Sequence, residues 1–116
     1  MLHQQIYYLD NALLEIIQSD FVLIDRQNWF ELYKNKIDNS LWRLDAWDKY
    51  QEQYFVRIGS EVDWIEFDAT SLQIDLLRSS RGTTDQNCKW VNCERNSLNG
   101  LVFCEFHAYK EMGIRR

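Results

Sequence analysis

The chain has 116 residues, of which 46% are hydrophobic and 15% aromatic, with four glycines and no proline. This composition supplies enough apolar surface for a folded core and excludes a linker or a disordered tail. The net charge of −5 is uneven, because residues 1–80 hold 14 acidic and 7 basic residues whereas residues 81–116 hold 4 and 6. An acidic surface repels phosphate backbones and attracts basic surfaces, although it also serves solubility alone.

The cellular compartment is predicted from three features of the sequence. The first residues show no basic segment followed by an apolar run, so no signal peptide is expected. No apolar stretch approaches the roughly 20 residues of a membrane span. The three cysteines are an odd number, which argues against a closed disulfide framework and for thiol or metal chemistry. A cytoplasmic protein without a membrane association is therefore expected.

Four elements are predicted in the first half of the chain. Apolar residues at steps of three and four predict an amphipathic helix over residues 4–18. The apolar run 21–24 favours a short strand. Asp25 is a candidate N-cap for a helix over 26–37, and a helix is also favoured over the more ambiguous segment 41–53.

The next elements lead to a predicted domain boundary. β-Branched and aromatic residues predict strands at 54–58 and 62–67, joined as a hairpin by a glycine-containing turn. Asp68 is a candidate N-cap for a helix that ends near residue 78. Residues 79–84 are rich in Ser, Thr and Gly and coincide with the change in charge, so we interpret them as a linker.

The spacing of cysteine and histidine in the last third of the chain predicts a zinc site. All three cysteines and one of the two histidines form the pattern C-x4-C-x10-C-x2-H. Three thiolates and one imidazole suit tetrahedral Zn²⁺, whereas the alternative is a set of unrelated buried thiols. Asn99-Gly100 predicts a hairpin turn between the two ligand pairs, and a closing helix is expected to end near Gly113. The predicted ligands are Cys88, Cys93, Cys104 and His107.

The order of these elements resembles a known class of zinc module. A ligand pair on a loop, a hairpin and a second pair on a helix make residues 88–113 similar to the short treble-clef-like Cys3His modules of bacterial, phage and plant proteins. The resemblance implies a structural zinc ion and implies nothing for residues 1–80. The predicted fold class is therefore α+β, with a helix-rich acidic body containing a short β-hairpin over 1–80 and a zinc-stapled hairpin–helix module over 81–116. We expect the two to pack as one unit, and an all-α body is the alternative.

Catalytic interpretations were weighed and are not favoured. A catalytic zinc keeps an open coordination position, whereas four protein ligands close this site. Glu105, between two ligands, is a candidate base, but an exposed helix residue is the simpler interpretation. Five carboxylates were weighed as a magnesium site and attributed to solvated faces: Asp45, Asp48, Asp63, Glu66 and Asp68. No nucleotide-binding or hydrolase motif is present, so the chain is not expected to be an enzyme.

An acidic aromatic segment suggests a partner-binding surface. Trp and Tyr dominate binding hot spots, and Asp pairs with a basic partner. The residues proposed for this surface are Trp42, Asp45, Trp47, Asp48 and Tyr50. The alternative is that at least one of the two tryptophans belongs to the core.

The function predicted from the sequence is stoichiometric binding of a basic protein. In size, acidity and aromatic content the chain is similar in style to bacterial toxin-immunity proteins and phage inhibitors, which implies neutralisation of a basic, nuclease-type toxin or defence protein. The alternative is a zinc-finger nucleic-acid-binding protein or transcriptional adaptor that uses residues 81–116. Because the positive excess of that segment is small, nucleic acid is not the favoured partner.

Overall fold

The computed structural model describes residues 2–45 and 52–116, and the chain divides into two compact units, Met1–Ala69 and Thr70–Arg116. Within the described residues, the first unit contains a five-stranded antiparallel sheet and one α-helix. The second contains two α-helices and a two-stranded sheet. The division falls earlier in the chain than the predicted linker, so the helix that precedes that linker belongs to the second unit.

The first unit is built on a sheet with strand order β1-β5-β4-β3-β2. Every neighbouring pair of strands is antiparallel. A short 3-10 turn, Trp64–Glu66, follows the last strand. The elements are β1 (Ile6–Tyr8), α1 (Asn11–Asp20), β2 (Phe21–Gln27), β3 (Phe30–Asn35), β4 (Leu41–Asp45) and β5 (Tyr54–Ile58).

Helix α1 lies on one face of this sheet and forms the core of the first unit with it. The Asp10 carboxylate caps the helix by accepting the Leu13 N–H at 2.8 Å. The Trp42 and Phe55 rings stack with their centroids 5.0 Å apart, and Phe21 meets Phe55 edge-on. The buried residues of this core are Leu13, Ile17, Phe21, Trp42, Leu44 and Phe55.

The opposite face of the sheet is buried at its centre, where Arg43 is only 3% exposed. Its side chain forms an ion pair with Asp45 at 2.9 Å and stacks over the Phe30 ring. The same guanidinium donates to the carbonyl oxygens of Trp64 and Phe67. A buried guanidinium requires several acceptors, and the segment after β5 supplies two of them. Arg43 therefore holds this segment against the sheet.

The predicted helix-rich body is wrong, although the fold class is α+β as expected. Residues 26–37 form parts of β2 and β3 instead of a helix, and the two strands are joined at Asn28 and Trp29, which both have positive φ angles of 50° and 72°. Such a two-residue turn matches the twist of antiparallel strands. The all-α alternative for this body is excluded by the five-stranded sheet.

Other predicted elements of the first unit are partly correct. The strand at 21–24 is confirmed within β2, and the strand at 54–58 is confirmed as β5. The predicted helix over 4–18 is wrong at its start, where β1 forms, and the segment predicted as helix from residue 41 begins as β4. The predicted hairpin is wrong, because β5 pairs with β1 and β4 rather than with 62–67.

The second unit surrounds a small core of its own. Its elements are α2 (Thr70–Arg81), β6 (Thr83–Asn87), β7 (Asn96–Leu98) and α3 (Glu105–Lys110). Its buried apolar residues are Ile74, Leu77, Leu98, Ala108 and Tyr109. The predicted linker at 79–84 is wrong, since helix α2 continues to Arg81 and β6 begins at Thr83. None of the helices in the described residues has the length and apolarity needed to cross a membrane.

A candidate metal centre

Each predicted ligand occupies a defined position in the second unit. Cys88 directly follows β6, and its N–H donates to the Arg95 carbonyl at 2.7 Å. Cys93 closes a tight turn by donating its N–H to the Trp90 carbonyl, and Asn92 in this turn has a φ of 63°. Asparagine tolerates this left-handed conformation better than most residues.

The second pair of ligands lies at the start of helix α3. Cys104 is the N-cap residue and His107 is in the first turn, so both side chains point to the same side of the helix. The chain reaches this helix through a turn at Asn99 and Gly100, which is closed by a hydrogen bond from the Leu101 N–H to the Leu98 carbonyl at 3.0 Å. The predicted closing helix is thereby confirmed.

These elements bring four ligand atoms together. One atom from each of the four residues lies within 4.8 Å of every other. The Cys93 and Cys104 Sγ atoms are 3.8 Å apart, and His107 Nδ1 lies 3.5 Å from Cys88 Sγ and 3.3 Å from Cys104 Sγ. All three cysteines are free thiols, and 3.8 Å is well beyond the ~2.05 Å of a disulfide bond.

The spacing fits the edges of a metal tetrahedron. Bonds of about 2.3 Å to sulfur and about 2.0–2.1 Å to imidazole nitrogen imply S···S edges of about 3.8 Å and S···N edges of about 3.5 Å. The separation of 3.8 Å between two sulfurs and of 3.3–3.5 Å from sulfur to nitrogen agree with those edges. The geometry is therefore compatible with a metal ion such as zinc.

The cluster also favours ionisation of one thiol at the expense of another. Burial raises the pKa of Cys88, but hydrogen bonds from the backbone N–H groups of Cys104 and Trp90 and from the His107 side chain outweigh it, and the pKa falls to about 7. Burial raises the pKa of Cys104, which lies beside the same group of sulfurs. A cation among these atoms would stabilise all the thiolates together.

Aromatic and charged residues surround the cluster. The Trp90 ring stacks on the imidazole of His107 with centroids 4.9 Å apart and an interplanar angle of 12°. Glu105 is only 3% exposed and forms an ion pair with Arg95, whose guanidinium also lies over the Phe106 ring. Glu105, weighed above as an exposed residue or a base, is thus buried and paired with a cation.

Sequence reasoning missed these supporting contacts. Glu105 was visible because it lies between two ligands, but its partner Arg95 is ten residues away and has no spacing signal. The stack of Trp90 on His107 depends on the turn that folds residues 88–93 back toward α3. An aromatic residue between the first two ligands was the only sequence signal for it.

The residues predicted for a partner surface are not assembled as expected. Trp42 is 2% exposed and Asp45 is 7% exposed, so both lie inside the first unit, and the core alternative holds for Trp42. Trp47, Asp48 and Tyr50 lie outside the described residues. Among the residues described, the Cys3His group is the only cluster of three or more potential metal ligands, so the carboxylates weighed as a magnesium site do not form one there.

Comparisons with known proteins do not assign the chain to a family. No family model, no curated protein and no solved structure matches the chain.

Proposed function

We propose that Cys88, Cys93, Cys104 and His107 bind one Zn²⁺ ion that holds the second unit in its folded conformation. The observation that supports this most directly is that four ligand atoms lie within 4.8 Å of one another, with three of the six separations at the lengths of tetrahedral edges. Zinc is the metal for which three thiolates and one imidazole are a common ligand set. A turn that carries two ligands and a helix that carries the other two are also the arrangement of treble-clef-like modules, although β7 pairs with β6 and residues 101–103 form no strand.

The proposed ion is structural rather than catalytic. Four protein ligands fill a tetrahedral coordination sphere and leave no position for an activated water. Glu105, which follows Cys104 in the chain, already pairs with Arg95 and would have to lose that partner to act as a base. The proposal therefore assigns the chain no enzymatic activity.

Metal analysis of the purified protein tests the zinc proposal. We expect one zinc per chain by plasma mass spectrometry, and we expect Cys104→Ser and His107→Gln to lose it, because three ligands bind zinc more weakly than four. The control is His3→Gln, the same change at the other histidine, which lies outside the cluster and should leave the zinc content unchanged. Full zinc occupancy in both ligand variants would contradict the proposed ligand set.

We further propose that the protein acts by binding a basic protein, such as a nuclease-type toxin or a defence protein, and inhibiting it. The support is electrostatic, since the first unit has 13 acidic and 6 basic residues and would attract a basic surface. Thiolate ligands need a reducing compartment, and the cytoplasm fits that need. Because Trp42 and Asp45 are buried, the contact surface must consist of other residues of this unit.

The nucleic-acid alternative has less support from the second unit. The Arg95 guanidinium pairs with Glu105, and that of Arg81 donates to the carbonyl oxygens of Asn99 and Arg116. Arg115 donates to the Tyr109 carbonyl. These side chains bind protein acceptors, so fewer cations are directed outward to meet phosphates.

Affinity capture from the native cells separates the two functions. The inhibitor proposal predicts one basic protein retained in a 1:1 complex, with its activity lost in the complex. Nucleic acid that absorbs at 260 nm and dissociates with salt, in the absence of a protein partner, would contradict it and favour the alternative.

A further inference from the structure

A cavity of about 280 Å³ opens on the first unit where helix α1 ends. The end of the helix, the turn between β3 and β4, and the adjoining strands contribute to its wall. Apolar side chains form most of its accessible lining, and Phe21 and Trp42 of the core are among them. Its lining residues include Ile16, Asp20, Phe21, Ile37, Asp38 and Trp42. The volume is at the lower end of the range for ligand pockets and suits a single side chain.

A chain of hydrogen bonds connects the buried tryptophan to a carboxylate in the wall of this cavity. The Trp42 Nε1–H donates to Ser40 Oγ at 2.8 Å, and the Ser40 hydroxyl donates to Asp38 Oδ1 at 2.6 Å. The Ser40 N–H donates to the same Asp38 oxygen at 2.9 Å. These hydrogen bonds from Ser40 lower the pKa of Asp38, so its carboxylate remains ionised and is held in one orientation.

The lining of the cavity carries a net charge of −1, and the first unit as a whole carries −7. Asp20 and Asp38 contribute two carboxylates to the lining, whereas Arg57 contributes one guanidinium. The nearby Lys36 directs its ammonium group to the Ser19 carbonyl at 3.0 Å. An arginine side chain has an apolar stem for the apolar wall and a planar cation for the carboxylates.

We propose that this cavity receives an arginine side chain from the basic partner protein. The proposal rests on the inhibitor function proposed above and adds to it the site of contact and the residue type that is recognised. Trp42 and Asp45 are buried and are not exposed contact residues. The proposed contact site is instead the cavity, where Trp42 forms part of the wall and Asp20 and Asp38 supply the negative charge.

A small probe tests recognition without the partner. N-acetyl-arginine methylamide is titrated into the full-length zinc-loaded protein, and the Trp42 indole N–H is followed by ¹H–¹⁵N NMR. We expect a saturable shift with a dissociation constant on the order of 1 mM, because the indole is linked through Ser40 to Asp38. The neutral isostere N-acetyl-citrulline methylamide should produce no saturable shift, and equal binding of the two probes would overturn the proposal.

Charge variants test the residues. Asp20→Asn and Asp38→Asn keep an acceptor oxygen but remove a charge, and each should weaken arginine binding about 1.5- to 5-fold. Arg57→Gln should strengthen it about 2-fold, because a like charge is removed from the rim. Glu61→Gln is the matched control, since it removes an exposed charge of the same unit outside the cavity lining and should leave the affinity unchanged. A loss of affinity in Glu61→Gln as large as that in Asp20→Asn and Asp38→Asn would indicate a general charge effect and contradict the proposal.

Inhibition assays with the captured partner then distinguish failure of the cavity proposal from failure of the inhibitor proposal. If the doubly substituted Asp20→Asn/Asp38→Asn protein inhibits the basic partner as strongly as the wild type, the cavity proposal is wrong and the inhibitor function stands. If the arginine probe binds but no basic protein is captured, the cavity recognises arginine as proposed and the inhibitor function is wrong.

Discussion

The two units of this chain are stabilised by different means. The first, Met1–Ala69, encloses a core in which the rings of Phe21, Trp42 and Phe55 are in mutual contact. The second, Thr70–Arg116, is shorter and has a smaller apolar core, beside which the Cys3His cluster joins a turn to a helix. Burial of aromatic surface therefore stabilises the first unit, whereas the proposed metal ion would give the second an additional link.

The difference illustrates how size limits a hydrophobic core. Below roughly 70–80 residues an apolar core rarely supplies more than about 3–5 kcal/mol, and natural proteins of that size add disulfides or metals. In the second unit the ligands come from segments that share few buried apolar side chains, namely the turn at 88–93 and the start of α3. A metal ion bound to both would keep them together.

Removal of the metal should produce the largest difference between the units. After chelation we expect the amides of α2, β7 and α3 to lose their protection against hydrogen exchange, because structural zinc sites contribute about 10 kcal/mol or more of binding free energy to folding. The strands β3, β4 and β5 should keep theirs, since the core of the first unit contains no ligand. Hydrogen-exchange mass spectrometry measures both sets of amides in one sample. Retained protection throughout Thr70–Arg116 in metal-free protein would refute the proposed role of the ion.

Truncation of a core tryptophan should destabilise the first unit. Trp42→Ala removes a side chain that stacks on Phe55 and contacts Phe21, and we expect a loss of about 3–5 kcal/mol in the free energy of unfolding. Val62→Ala is the control, because Val62 is 77% exposed and truncation of its side chain should cost within about 0.5 kcal/mol. Urea denaturation measures both variants. Similar losses of stability in the two variants would contradict the stabilising role given to the stacked aromatic core.

Loss of the buried ion pair between Arg43 and Asp45 should lower the free energy of unfolding less than truncation of the aromatic core. Asp45→Asn leaves the Arg43 guanidinium buried without a counter-charge, and we expect a loss of about 3 kcal/mol. Arg26→Gln breaks the exposed pair with Glu31 and should cost about 1 kcal/mol or less. Urea denaturation measures the free energy of unfolding of both variants. A larger loss in Arg26→Gln than in Asp45→Asn would contradict the role given to Arg43, which is to hold the segment after β5 against the sheet.

The smallest expected effect is at alkaline pH. Burial and the hydrogen bond to Glu31 raise the pKa of Tyr33 to about 12 from its ordinary value of 10.0. Between these values the unfolded chain loses this proton while the folded chain keeps it, so the stability that Tyr33 contributes is present below pH 10 and declines as the pH rises toward 12. Absorbance at 295 nm should show a late-titrating component that becomes smaller by one tyrosine in Tyr33→Phe. An unchanged titration curve in that variant would contradict the shift.

Two sites illustrate why some features were predicted and others were not. The Cys3His cluster was predicted because its residue types have few other uses in that spacing and all four lie within a short segment. The strands β2 and β3 were mistaken for a helix because Trp29, Tyr33 and Ile37 recur at intervals of four. The turn that separates these strands places Trp29 at a positive φ, which its residue type does not signal.

The sequence by itself determined the ligand set, the helix α3 that presents two of its members, and the helix α2. It did so through local signals: ligand chemistry, apolar spacing and turn residues within one segment. Only the tertiary structure decided that β4 is buried on both faces. Because Arg43 occupies the interior by pairing with Asp45 and with carbonyl oxygens from a distant segment, the alternation that marks a strand was hidden. The same packing placed Trp42 in the core and left Asp20 and Asp38 at the mouth of a cavity, since both outcomes depend on which segments meet across the sheet.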